Sequence, residues 1–156
     1  MWFHLELLGR GYDSARVAVA VSKSVTGPYL YIKSFRPDAG FWPVNVRPYN
    51  KQPVKKDIKA TYCGGKGCLP AHPDTLNLLG RDFKRGQMSR DMNLFKDVNE
   101  KAYLIYTSED NSTLHISELT EDYLSTSGKY FRIFADRCME GAAMYMEYPV
   151  VTEHFI

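Results

Sequence analysis

Residues 89–106 read Ser-Arg-Asp-Met-Asn-Leu-Phe-Lys-Asp-Val-Asn-Glu-Lys-Ala-Tyr-Leu-Ile-Tyr. The centre, Asp97-Val98-Asn99-Glu100, is mostly polar and turn-forming. The flanks, residues 91–95 and 102–106, are short apolar and aromatic runs. Two such runs around a short polar link predict an antiparallel hairpin. The same grammar continues outward. Downstream lie runs at 113–119 and 130–134, upstream runs at 1–8, 15–21 and 29–35. Each has the usual strand length. Gly9-Arg10-Gly11, Thr26-Gly27-Pro28, Asp110-Asn111 and Ser127-Gly128 punctuate them as turns. Helical turns are hinted at only in residues 73–79 and 121–124. The fold class read from this pattern is all-β.

Composition agrees. The 156 residues suit one ordinary domain by length, and 44% hydrophobic with 24% charged residues is a globular balance. Eleven Tyr and eight Phe favour a half-buried pleated surface. No run of about 18 apolar residues predicts a membrane span. Residues 1–8 lack a basic leader and stop at Gly9-Arg10-Gly11, so they are not read as a signal peptide, and no localisation is assigned.

Charge is unevenly spread. Residues 36–87 hold ten basic and four acidic residues, net +6; the remainder holds ten and fourteen, net −4. The basic stretch also carries six of the eight prolines, together with Gly64-Gly65 and Gly67. Proline removes backbone donors and glycine loosens the chain, so the reading is a long, solvated Pro/Gly-rich insertion over 36–87 within a domain spanning 1–156.

The two halves echo each other. In each, an apolar strand is followed by a strand ending near Ser22 or Ser117. A polar turn then reaches Gly27 or Gly128, and an aromatic strand follows at Tyr29 or Tyr130. A repeated antiparallel unit suggests propeller blades; a sandwich or meander would show similar strand lengths.

The motifs carry a family resemblance. Ser89-Arg90-Asp91-Met92-Asn93-Leu94-Phe95-Lys96-Asp97, then Lys101-Ala102-Tyr103-Leu104-Ile105-Tyr106, resembles the S-x-D-x-x-x-F-x-D and K-x-Y-L-x-Y signature of glycoside hydrolase family 43. Glu140-Gly141-Ala142 resembles the family's E-G-P motif, with Ala142 in place of proline. Val19-Ala20-Val21-Ser22 with Thr26-Gly27-Pro28-Tyr29, and the stretch from His115 to Thr120 with Asp122-Tyr123, also fit. The Ser-Arg-Asp variant, with Ser34-Phe35-Arg36-Pro37 upstream, resembles the galactan-acting, exo-β-1,3-galactanase-like branch.

The resemblance implies a five-bladed β-propeller that hydrolyses glycosidic bonds with inversion. This chain would cover about two blades plus one strand of a third. It implies Glu140 as general acid and Asp91 as the carboxylate that orients it and raises its pKa. Inversion needs such an acid and a separate base on water, and a nearby carboxylate disfavours ionisation of Glu140. Trp2, His4 and Arg90 are candidate substrate contacts. For Trp2 and His4, on an apolar strand, core packing is the better reading, though aromatic faces also stack on sugars. The aspartate base of the family, and the W-x-x-E-R-P segment of the galactan branch, have no counterpart in residues 1–156. The expectation is therefore a fragment that hydrolyses no glycoside by itself, with open blade edges available for association.

The partner implied is an oligosaccharide or polysaccharide, probed against two other classes. A non-catalytic carbohydrate-binding or assembly module is the runner-up. A nucleic-acid binder would use the basic stretch, but no recognisable module supports it, and neither nucleic acid nor membrane is expected as a partner. No cofactor is expected, though the resemblance allows a calcium ion on the axis of a complete propeller. Cys63, Cys68 and His72 could begin a zinc site, but Cys138 is distant and four compact ligands are not visible, so no metal is assigned. A Cys63–Cys68 disulfide and a pair of plain thiols both remain open.

Overall fold

A computed structural model describes residues 1–54, 77–135, 137 and 139–145. The described residues form two antiparallel sheets. The first has the order β1 (Trp2–Leu5), β2 (Arg16–Val21), β3 (Leu30–Phe35). The second has the order β4 (Met92–Lys96), β5 (Ala102–Ser108), β6 (Thr113–Leu119), β7 (Thr126–Ile133). Strand order in each sheet follows chain order, as in successive propeller blades. Every strand expected from the sequence is present, with ends shifted by a few residues. The expected helical turns differ. One five-residue helix, α1, covers Leu78–Asp82, residues 73–76 lie outside the described residues, and residues 121–124 form a turn and bends closed by the Tyr123 N–H on the Thr120 carbonyl (2.8 Å).

Side-chain alternation explains how the sheets meet. Ala102, Leu104 and Tyr106 share one face of β5. With Val17 of β2 and Leu119 of β6 they form the apolar core, and Trp2, Phe35 and Met92 pack around it. The register Tyr106↔His115↔Arg132 and Leu104↔Ser117↔Tyr130 puts a second, polar set on the same face. That face is therefore apolar towards one end of the sheet and polar towards the end where β5 turns into β6.

The described parts of the basic, Pro-rich stretch are largely exposed over residues 39–53 but are anchored to the sheets at several points. Residues 41–45 run along the outer edge of β7: Val44 N–H donates to the Tyr130 carbonyl (2.8 Å), and the Asn45 side chain both donates to the Arg132 carbonyl (2.7 Å) and accepts from its N–H (3.0 Å). An exposed strand edge is an association hazard, and this segment covers it. Trp42 stacks on Phe83 at 4.1 Å, joining the two ends of the stretch. Gly86 allows the closest approach. Its φ is +88°, and a Cβ there would lie 2.4 Å from the Arg36 carbonyl oxygen, so no other residue fits. Proline and basic residues forbid regular ladders but leave single hydrogen bonds and ring contacts of this kind open. Cys63, Cys68, His72 and Cys138 lie outside the described residues.

Candidate active site

Asp91 sits immediately before β4. Arg90 N–H donates to the Thr107 carbonyl (3.1 Å), and Thr107 N–H to the Asp91 carbonyl (2.9 Å), which extends the β4–β5 pairing and holds the Asp91 backbone in place. The Asp91 side chain is exposed. Its Oδ2 accepts from the N–H of Gly141 at 3.2 Å. Gly141 has φ +61°, a conformation glycine adopts without strain, and this turns its N–H onto the carboxylate. Glu140 is thereby brought beside Asp91 from forty-nine residues along the chain.

A third side chain completes the arrangement. Asn111 Nδ2 donates to Glu140 Oε1 at 3.2 Å, while its own Oδ1 accepts from Arg90 Nη1 (3.4 Å) and Thr107 Oγ1 (3.5 Å). Because Arg90 Nη1 can only donate, it faces the Asn111 oxygen, and the amide presents its NH2 to Glu140. Arg137 N–H, donating to the Ser112 carbonyl (3.1 Å), ties the approach to Glu140 onto the same turn.

That turn is strained. Glu109, Asp110 and Asn111 have φ of +50°, +55° and +67°. Three consecutive non-glycine residues in the left-handed region cost of order 1–3 kcal/mol each and persist only where surroundings over-determine them. Here they do. Glu109 is fully buried, accepting from Arg132 Nε (2.5 Å) and Nη2 (2.7 Å) and lying 2.9 Å from His115 Nε2. Asp110 accepts from Arg81 Nη1 at 2.7 Å and lies 3.7 Å from Arg90. Ser112 returns its N–H (3.2 Å) and hydroxyl (2.6 Å) to the Glu109 carbonyl.

The charges behind the turn are strongly perturbed. Burial pushes the Glu109 carboxyl up, but the bonds from His115 and Arg132 outweigh it and bring it down to about 2. Asp38, buried at the end of the same network, is pushed up by burial against the opposing bonds from Ser117 and Tyr106. Its Oδ2 accepts from the Ser117 hydroxyl (2.5 Å) and the Tyr106 hydroxyl (3.0 Å), and Tyr106 lies 3.3 Å from His115 Nδ1. Burial, and then the nearby Asp38, push the Tyr106 phenol far up. A continuous polar chain thus runs from Asp38 through Tyr106, His115 and Glu109 to Arg132.

Chains of known structure give the comparison. No protein-family model matches, and no curated protein does either. A GH43 β-1,3-galactosidase, BT3683, solved with galactodeoxynojirimycin, is 46% identical over 94% of this chain and superposes with a TM-score of 0.81. The chain belongs to glycoside hydrolase family 43. A second GH43 β-1,3-galactosidase, BT0265, is 27% identical over 94% of the chain with a TM-score of 0.60. The exo-β-1,3-galactanase 1,3Gal43A from Clostridium thermocellum is 30% identical over 90% with a TM-score of 0.57. The chain spans 42% of the first of these family 43 proteins and 21% and 22% of the other two. Its all-β sheets are blades of the family's propeller.

Among the family positions expected from sequence, the structure brings together Asp91, Glu140 and Arg90. Arg90 is buried, and its guanidinium faces Asn111, Asp110, the Tyr12 carbonyl (3.4 Å) and the Tyr12 ring (5.9 Å), so it braces the turn. His4 lies on the same rim. Its ring is 6.0 Å from that of Tyr12, and its Nε2 is 2.8 Å from Glu6, whose carboxylate is committed to the N–H groups of Ser14 and Ala15. Trp2 does not join them. The register Met92↔Tyr106 and Lys96↔Ala102 sets opposite ends of β4, and Trp2 lies at the Lys96 end. There it donates to the Tyr123 carbonyl (3.0 Å), meets Phe35 edge-on at 5.9 Å and lines a recess of about 390 Å³ with Val19, Leu94 and Leu119. Its place is in the core between the sheets. Asn111, Glu109 and Arg132 were not singled out by sequence. The one available signal was the run Glu109-Asp110-Asn111, too polar for a bare two-residue turn. Among the described residues no cluster of three or more His, Cys, Asp or Glu side chains could hold a metal ion.

Proposed function

We propose that this chain supplies the acid side of a galactan-cleaving active site that hydrolyses β-linked galactosides with inversion. The observation that carries it is the joining of Glu140 to Asp91 through the Gly141 N–H, with Asn111 on Glu140. In this reading Glu140 donates its proton to the leaving glycosidic oxygen. Asp91 orients the Glu140 segment and sets a second negative charge close by. Asn111 fixes the carboxyl rotamer so that the proton points outward. Both carboxylates are exposed, so a sugar has access to them. The general base that activates water is supplied from outside residues 1–156, and the chain by itself turns over no glycoside.

The test is a soluble chimera in which residues 1–145 replace the matching segment of the 46%-identical β-1,3-galactosidase. It should hydrolyse β-1,3-galactobiose, with α-galactose as the first product seen by proton NMR. Glu140→Gln should lower kcat by at least about a thousandfold while sugar binding persists, since the loss falls on proton donation. β-Galactose as first product would refute inversion, and an active Glu140→Gln chimera would refute the assignment of the acid. Turnover of an aryl galactoside by the 156-residue chain would refute the division of the site.

A further inference from the structure

On the same end of the sheets, behind the Asp110–Asn111 turn, two adjoining cavities of about 270 Å³ each share Arg10, Asp13, Arg36 and Arg85. Arg16 adds to one; Arg81, Asp82 and Asp110 add to the other. Five guanidiniums thus face three carboxylates. Most of these charges are already engaged. Arg81 is bound to Asp82 and Asp110 at 2.7 Å each, Arg36 reaches Asp82 at 3.3 Å, and Arg16 is bound to the Ser34 hydroxyl and carbonyl. Arg36 also donates to the Ser14 (2.8 Å) and Asp13 (2.6 Å) carbonyls, which fixes it at the cavity wall. Arg10 and Arg85 are different. Both are exposed, both line both cavities, and neither guanidinium has an ion pair or hydrogen bond among the described residues. The field is cationic there: burial holds the Arg36 guanidinium low, Asp82 opposes this, and the neighbouring Arg85 and Arg81 lower it further.

We propose that this arginine-walled cleft is an oxyanion-binding site, with Arg10 and Arg85 as its two free forks and Arg36 as its fixed wall. A guanidinium presents paired N–H donors that match carboxylate and phosphate oxygens bidentately. Two unpaired forks beside a half-buried third make a site that a neutral sugar does not need. The anion is either a carboxylate on a uronic acid of the polymer, held beside the Glu140 site, or free inorganic phosphate. Asp13, whose carboxylate lines the cleft and has no side-chain partner among the described residues, weakens it and sets its affinity. The uronic-acid source rests on the galactan reading; the site itself does not, because it is probed with the free ion.

The experiment is titration of the 156-residue chain, followed by NMR shifts, with sodium phosphate, galacturonate and galactose. Ionic strength is held at about 0.15 M with NaCl, which screens nonspecific attraction. Phosphate or galacturonate should bind saturably and galactose should not; tighter galacturonate marks the polymer as the source, tighter phosphate the free ion. The pair Arg10→Ala and Arg85→Ala should weaken binding at least about tenfold with the fold intact, since neither side chain bonds to the protein. Asp13→Asn should tighten it by a few fold. Shifts that only follow NaCl, or binding unchanged in the double variant, would overturn the proposal.

Discussion

Glu109→Gln removes one charge from the most deeply buried ion pair among the described residues, and the size of its effect can be worked in two ways. Glu109 is held at about 2 against an ordinary value of 4.5. At 1.36 kcal/mol for each tenfold change, that difference is worth about 3 kcal/mol. Removing one partner of a buried pair costs a similar figure, roughly 3–5 kcal/mol, because a buried charge interaction is lost without compensation. Arg132, 8% exposed, is the other member of this pair. The pKa is depressed on folding, so the stabilisation is present above pH 4.5 and lost as pH falls through about 2. The assay is urea unfolding of the chain and its Glu109→Gln variant at several pH values. With a slope of about 2 kcal/mol per molar urea, the midpoint should fall by about 1.5 M at pH 7. The gap should close as pH drops from 4.5 to 2. A variant within about 0.5 kcal/mol of the parent at pH 7, the scatter of neutral surface changes, would refute the reasoning. So would a gap that does not change with pH.

The remaining predictions address neighbouring parts of the same framework. Gly86→Ala should destabilise the chain by about 2 kcal/mol or more, read by thermal unfolding, because its Cβ meets the Arg36 carbonyl at a positive φ. Asp38→Asn should gain stability relative to the parent as pH rises. The raised carboxyl stabilises the fold fully below 3.8 and loses that contribution on ionising, whereas the amide does not titrate; parallel urea curves from pH 3 to 8 check it. Asn111→Ala in the active chimera should lower kcat by about tenfold to a hundredfold with KM little changed, since the residue acts on Glu140 rather than on sugar. An equal rise in KM with kcat intact would assign Asn111 to substrate binding instead.

Much of this framework was legible in the residues. The hairpin of β4 and β5 follows from two apolar runs around Asp97–Glu100, and period-two alternation put Ala102, Leu104 and Tyr106 on one face. The motifs around Asp91 and Glu140 pointed to family 43 before any contact was known, and 46% identity to a family structure agrees. The anchoring of residues 41–45 along β7 was not legible, because proline and charge report the absence of ladders and say nothing of single contacts to a distant strand. Core packing was the reading an apolar strand favoured for Trp2, and Trp2 packs against the core; alternation tells which face a side chain takes but not which end of a neighbouring sheet it meets.

The sequence alone determined the β class, the order of the strands, the turns between them and the chemical identity of the two carboxylates. These are local properties, set by side-chain period and by backbone preference within a few residues. Tertiary structure alone decided that the Gly141 N–H lands on Asp91, that Asn111 grips Glu140, and that Arg132 and His115 lock a left-handed turn from beneath. Those contacts depend on strand register and on how a loop closes over a sheet edge. Both are settled by burial summed over the whole interface, so no short window of residues contains them.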